Sequence, residues 1–233
     1  MSAQIPVKSQ PAIPRLVGVI ASRTALTRAL RLRRPPDLFE LRLDALRDSL
    51  GDVEHAIRKL RAPLIFTARH PSEGGLGKLT IGRRRALLLR FLEHAAMVDL
   101  ELRSVRHFEP LLEELRRRRI ALILSHHNLR DTPAAGELRR LTKSAAAFRP
   151  AIFKIATRTD TPAQLARLVS FFQESKRTQL PIAAMGMGKL GFASRRQLDG
   201  LGSALTYVAL GEANAEGQPT LNQLRSARRA YIK

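Results

Sequence analysis

A chain of 233 residues with 44% hydrophobic side chains can bury a large core and is neither disordered nor fibrous. Its formal charge of +21, carried mostly by arginine, permits anionic partners, but nine Phe, two Tyr and no Trp leave no stacking platform for single-stranded nucleic acid. The absence of cysteine excludes disulfides, thiolate nucleophiles and Cys-ligated zinc or iron–sulfur centres, and suits a reducing cytoplasm.

The first fourteen residues hold three prolines and no long apolar stretch, and read as a flexible tail rather than a signal peptide. No later run approaches the ~18 apolar residues of a membrane span. From Leu16 onward, short apolar runs alternate with longer amphipathic ones. LVGVIAS predicts a first strand and TALTRALRLR a short helix. DLFELRLD is the second strand, followed by a helix over Val53 to Lys59. PLIFTARH is the third and ends in the loop SEGGLGKLT, before a helix from Ile81 to Glu93. AMVDLEL is the fourth, with a helix over Val105 to Arg118. IALILSHH is the fifth, and Thr132 with Pro133 predicts the cap and first turn of the next helix, to Phe148. The sixth strand runs from Pro150 to Thr157, and Thr161 with Pro162 repeats the helix start. LPIAAMGM is the seventh strand, SRRQLDG a short helix or turn, and SALTYVAL the eighth strand. The polar loop GEANAEGQ leads to a last helix from Thr220 to Arg229.

Eight such units, about 25 to 30 residues apart and with no dividing linker, predict one α/β domain over residues 15–233. The expected architecture is a closed (β/α)8 TIM barrel, with an open doubly wound sheet as the alternative.

Strand parity then sorts the polar residues. Glu40, Arg42 and Asp44 share one face of the second strand, opposite Phe39, Leu41 and Leu43. Arg69 in the third strand, Asp99 and Glu101 in the fourth, Ser125 and His127 in the fifth and Lys154 in the sixth follow the same alternation. Met185 and Met187 share a face of the seventh. In a barrel one face must meet helices, so the charged set faces inward, near the strand ends where barrel enzymes work. A purely structural ion-pair network is the bland explanation, because buried charges need partners.

Lys154 sits between Phe153 and Ile155 in an apolar run. It is either a guard on an edge strand or an amine desolvated inside the barrel and able to attack a carbonyl. The second reading makes Lys154 a Schiff-base nucleophile and a neighbouring histidine its proton carrier, with His126 and His127 both candidates. Glu73 in the mouth loop would orient that imidazole. Arg195, past the seventh strand, would clamp a substrate carboxylate. Met185 and Met187 are core filler or the apolar wall beside the lysine. Other signals fail: Gly186-Met-Gly-Lys189 lacks the first glycine and the Ser or Thr of a phosphate loop. Ser203 has no Gly-x-Ser-x-Gly setting, and adjacent histidines without a third ligand do not make a zinc site.

With these residues in view, the chain closely resembles the type I 3-dehydroquinate dehydratases from its first strand to Gln218. The motifs are Glu40-Leu-Arg-Leu-Asp44, Phe66-Thr-Ala-Arg69, Glu73-Gly-Gly75, Asp99-Leu-Glu101, Ser125-His-His127, Phe153-Lys-Ile-Ala156, Met185-Gly-Met-Gly-Lys189, Ser194-Arg195 and Gly217-Gln218. The resemblance implies a cytoplasmic homodimer without metal or organic cofactor, dehydrating 3-dehydroquinate to 3-dehydroshikimate, the third step of the shikimate pathway. It implies Lys154 as the Schiff-base residue, His127 rather than His126 as proton donor and acceptor, and Glu73 as its carboxylate partner. It places Arg195 on the substrate carboxylate, and Glu40, Arg42, Arg69, Asn214 and Gln218 around the rest of the substrate. Two positions depart from the family pattern: Asn128 follows the histidine in place of Asp, and Asn214 stands where Ser is common. Neither a membrane nor a specific nucleic acid is an expected partner. A Schiff-base aldolase is the second enzyme reading, although GEANAEGQPT offers no phosphate cradle. A basic nucleic-acid-binding barrel is the non-enzyme reading.

Overall fold

Alternation along each strand gives this fold two apolar surfaces, and each finds its own partner. In the computed structural model, which describes residues 15–231, one buried cluster contains Phe39, Leu41, Phe66, Val98, Leu100, Phe153 and Ile155 packed with helix residues such as Leu88, Leu111 and Phe171. A second, separate cluster contains Val17, Leu38, Ile65, Met97, Ile123, Ile152 and Ala183. These are the residues of opposite parity, and they fill the interior of a barrel.

The strands are β1 (Arg15–Ile20), β2 (Leu38–Arg42), β3 (Leu64–Thr67), β4 (Ala95–Glu101), β5 (Ala121–Asn128), β6 (Ile152–Arg158), β7 (Ile182–Met187) and β8 (Leu205–Ala209). The helices are α1 (Arg23–Arg31), α2 (Leu50–Ile57), α3 (Ile81–Arg90), α4 (Glu109–Arg118), α5 (Ala135–Ala146), α6 (Pro162–Ser175), α7 (Gly191–Gly200) and α8 (Leu221–Tyr231). Neighbouring strands pair in parallel from β1 through β7, and β1 also pairs with β8. The β1–β8 ladder curls the sheet round and excludes the open doubly wound alternative. The remaining seam, between β7 and β8, is bridged by Ala204 N donating to Ile182 O at 2.9 Å. Ser203 Oγ accepts from Ala184 N at 3.1 Å on the same seam.

The expected barrel is therefore the observed fold, with local corrections. The 1–14 segment expected as a tail lies outside the described residues. The helix predicted over Val53 to Lys59 is α2, which begins earlier, at Leu50. The helix predicted to reach Glu93 ends at Arg90 and passes into a 3-10 turn over Leu92–His94. The stretch read as a short helix or turn is a full helix, α7, from Gly191. Thr132 is not the cap of α5, which starts at Ala135 with no side-chain cap. Instead Thr132 is fully buried and donates to Arg158 O at 2.8 Å, tying the loop to the end of β6. The second Thr-Pro pair behaves as predicted: Thr161 and Gln164 form a capping box with Pro162 in the first turn of α6. Among the described residues no helix is long and apolar enough to cross a membrane.

Candidate active site

Lys154 lies in the middle of β6, which pairs with β5 on one side and β7 on the other. It is not on an edge, and at 3% exposure it guards nothing. Asp99 Oδ2 stands 2.5 Å from its Nζ and Glu40 Oε1 3.5 Å away. The Tyr207 ring centroid is 4.3 Å from the same nitrogen. The amine is dry, as expected, but its surroundings are two carboxylates and an aromatic face rather than a purely apolar pocket.

The carboxylates are held in turn. Glu40 Oε1 accepts from Thr67 Oγ1 at 2.8 Å. Arg69 grips Asp99 with both ends of its fork, at 3.1 and 3.0 Å, and donates to Ser125 Oγ at 2.6 Å. It also reaches Glu101 at 3.3 Å and Glu40 at 3.8 Å. Burial alone would raise the Asp99 carboxyl, but the charges of Arg69 and Lys154 outweigh it and hold the group well below the usual carboxylate range. The same three carboxylates offset the burial of Arg69 and push its guanidinium up.

His127 lies two residues beyond Ser125, the β5 residue paired with Lys154. Its Nδ1 is 2.9 Å from Glu73 Oε2, and the same oxygen accepts from the His127 backbone N–H at 3.0 Å. Glu73 belongs to the 3-10 turn Pro71–Glu73 that follows β3. Asp44 shapes that loop by accepting from Arg69 N at 3.1 Å and Leu76 N at 2.9 Å. Arg42 donates twice to Asp44, at 2.9 and 2.8 Å, and once to Gly74 O at 3.1 Å. Burial pushes the Glu73 carboxyl up to about 7. Burial, with the charges of Arg69 and Lys154, pulls the His127 imidazole well below its ordinary value. A neutral ring with Nδ1 engaged leaves Nε2 as the nitrogen free to move a substrate proton. His126 has the opposite parity, is packed toward the helix layer near Glu137, and takes no part in the pocket.

Arg195, in α7, is 3% exposed yet meets no carboxylate among the described residues. Its Nη1 donates to Tyr207 O at 3.2 Å and approaches Met185 Sδ at 3.4 Å, while Nε has no partner among the described residues. Burial lowers its guanidinium to about 10. A buried cation left unpaired is costly unless an anion arrives. Across the mouth, Gln218 Oε1 accepts from Asn214 N at 2.8 Å and from its Nδ2 at 3.4 Å, which folds the loop after β8 over the cavity.

One cavity is lined by Lys154, His127, Glu73, Glu40, Arg42 and Arg69, and equally by Arg195, Met185, Met187, Asn214 and Gln218. Every expected site residue is thus brought to one place. Two residues beside the amine are not marked for the site by the sequence: Asp99, an inward charge only, and Tyr207, whose buried hydroxyl has no partner among the described residues. The signal for Tyr207 was present in the alternation of SALTYVAL, which gives Leu205, Tyr207 and Ala209 one face.

The family described as type I 3-dehydroquinase matches residues 19–232. The chain is 32% identical over 214 residues to the 3-dehydroquinate dehydratase of Thermococcus onnurineus, covering 91% of this chain and 96% of that one. It is 34% identical over 190 residues to that of Pyrococcus abyssi, covering 81% and 85%. The crystal structure of 3-dehydroquinate dehydratase from Geobacillus kaustophilus superposes with a TM-score of 0.85 at 24% identity, covering 95% of this chain and 92% of that one, a likeness of fold.

Proposed function

The chain belongs to the type I 3-dehydroquinase family and has 3-dehydroquinate dehydratase activity, and from that premise we propose that it works through an imine on Lys154. The product is 3-dehydroshikimate, and the step is the third of the shikimate pathway. The observation that carries this reading is that one cavity holds a dry lysine amine, an imidazole fixed by a carboxylate, and a buried guanidinium without an anion.

Arg195 takes the substrate carboxylate, filling the partner position left open at its Nε. The Lys154 ammonium gives up one proton, the amine adds to the C3 ketone, and the carbinolamine hydroxyl takes a proton back and leaves as water to give an iminium. Asp99 and Glu40, already beside Nζ, stabilise that cation as they stabilise the ammonium before it. The iminium acidifies the adjacent C2 proton, which His127 removes through Nε2 to leave an enamine. The enamine expels the C1 hydroxyl, which leaves as water with the proton that His127 gives back. A water molecule then hydrolyses the imine, restoring the ketone and the Lys154 amine, so the net change is loss of one water. Glu73 fixes the ring for both proton transfers, and its raised proton affinity lets it share charge with His127. Glu40, Arg42, Arg69, Asn214 and Gln218 hold the ring hydroxyls, while Met185 and Met187 wall the imine from bulk water. No metal or organic cofactor has a part in this sequence of steps. A homodimer in the cytoplasm completes the proposal on family grounds.

Incubation with 3-dehydroquinate and borohydride, followed by intact mass and peptide mapping, tests it. The expected result is a reduced adduct on Lys154, with enone absorbance appearing in untreated protein and both signals lost in Lys154→Ala. An adduct on another lysine, or turnover by Lys154→Ala, would overturn the assignment.

A further inference from the structure

Arg84 is a wholly buried cation that does not line the cavity. It sits on α3, outside the barrel wall, yet its Nε donates to Ala68 O at 2.6 Å and its Nη2 is bonded to Glu101 Oε2. Its guanidinium lies 5.2 Å from the Phe108 ring centroid. Glu101 is equally buried and also accepts from His70 N at 2.9 Å and Ser104 Oγ at 3.1 Å. Its second oxygen meets Arg69 Nη1 at 3.3 Å. A continuous chain therefore runs from Arg84 through Glu101, Arg69 and Asp99 to Lys154.

The charges along this chain balance. Glu40, Asp99 and Glu101 face Lys154, Arg69 and Arg84, three of each sign, while His127, Tyr207, Glu73, Arg195 and Arg42 with its partner Asp44 are the other charged or titratable groups at the cavity. Among the described residues Glu101 pairs with Arg69 and Arg84, and of these Arg84 has no other carboxylate. Without Arg84, Glu101 would draw Arg69 away from Asp99, and the uncompensated negative charge would hold the Lys154 proton in place. A protonated amine cannot attack a ketone.

We propose that Arg84 is a positioning residue for imine formation: by holding Glu101 it reserves Arg69 for Asp99, the carboxylate beside Lys154 Nζ, and so shapes the pH profile of adduct formation. This rests on Lys154 being the nucleophile. The test follows borohydride-trapped adduct with 3-dehydroquinate as a function of pH in the full chain. Arg84→Gln moves the midpoint for trapping up by about one pH unit, so that adduct forms about tenfold more slowly below it. Arg84→Gln combined with Glu101→Gln removes one charge of each sign and returns the midpoint to the wild-type value. Arg84→Lys, which keeps the charge but not the fork, also keeps the wild-type midpoint. A folded Arg84→Gln with an unmoved midpoint overturns the proposal, as does a double variant that retains the displacement. If Arg84→Gln does not fold, Glu101→Gln alone decides: it removes the anion and leaves the Arg84 charge, so the midpoint moves down, and an unmoved midpoint overturns the proposal. Failure of the wild-type protein to be trapped at all would instead strike at Lys154 as the nucleophile.

Discussion

Glu73 and His127 each have their protonation set by burial, and in opposite directions. The carboxyl is raised from 4.5 to about 7, so its contribution to stability is full below pH 4.5 and lost as pH rises through 7. The imidazole is depressed below 6.5, so its contribution is present above 6.5 and lost as pH falls through the depressed value. Glu73→Gln keeps an acceptor for the His127 N–H but cannot ionise. Its thermal midpoint, measured against wild type, should therefore gain clearly more at pH 8 than at pH 5. Equal differences at the two values would mean that Glu73 does not titrate in this window. The depressed imidazole also keeps the loss of His127 as a base below pH 6.5. At this scale type and parity in the sequence mark the candidate groups. They leave His126 and His127 equivalent until the family resemblance is drawn, and the structure separates them by the Glu73 contact that only one of them makes.

Among the elements, two Thr-Pro pairs had the same local signature and different outcomes. Thr161 caps α6 because its side chain is free to face Gln164 N, at 3.3 Å. Thr132 is drawn instead into hydrogen bonds with Thr157, Thr159 and Arg158 O at the end of β6. A neighbour distant in sequence outcompetes the local cap. The loop after β8 shows the same dependence on distant contacts. Gly217 has φ +74, and a Cβ there would lie 2.5 Å from Gly188 O and 2.7 Å from Gly191 Cα. The loop can therefore pack on the start of α7 only with glycine, and this packing delivers Gln218 to the cavity. Gly217→Ala should raise KM for 3-dehydroquinate about tenfold, the loss of roughly one hydrogen bond, with kcat changed less. An unaltered KM would show that Gln218 does not touch substrate.

For the whole molecule, closure depends on a seam where no β7–β8 ladder forms and Ser203 stands in. Its Oγ accepts from Ala184 N at 3.1 Å and donates to Leu205 O at 3.2 Å. Ser203→Ala leaves a buried N–H unpaired and should cost about 1–3 kcal/mol in urea unfolding. A loss near zero would show that packing and the Ala204 N to Ile182 O bond hold the seam without Ser203. The surplus positive charge also has an address at this scale. Arg116, Arg117 and Arg118 end α4, and Arg228 and Arg229 end α8. Helix C-termini favour cations, and barrel helices run against their strands, so these groups lie at the end remote from the cavity.

Apolar runs of strand length, spaced by amphipathic segments, were enough to specify eight βα units, because local periodicity records which face each element buries. The same alternation assigns Glu40, Arg69, Asp99, His127 and Lys154 to the inner face. Pairwise geometry could not be read that way, since β1 must meet β8 across the length of the chain before the interior closes. Only closure brings Asp99 to 2.5 Å from Lys154, lays Tyr207 beneath it and leaves Arg195 without an anion. Those contacts arise from strands far apart in sequence, and no local pattern encodes their distances.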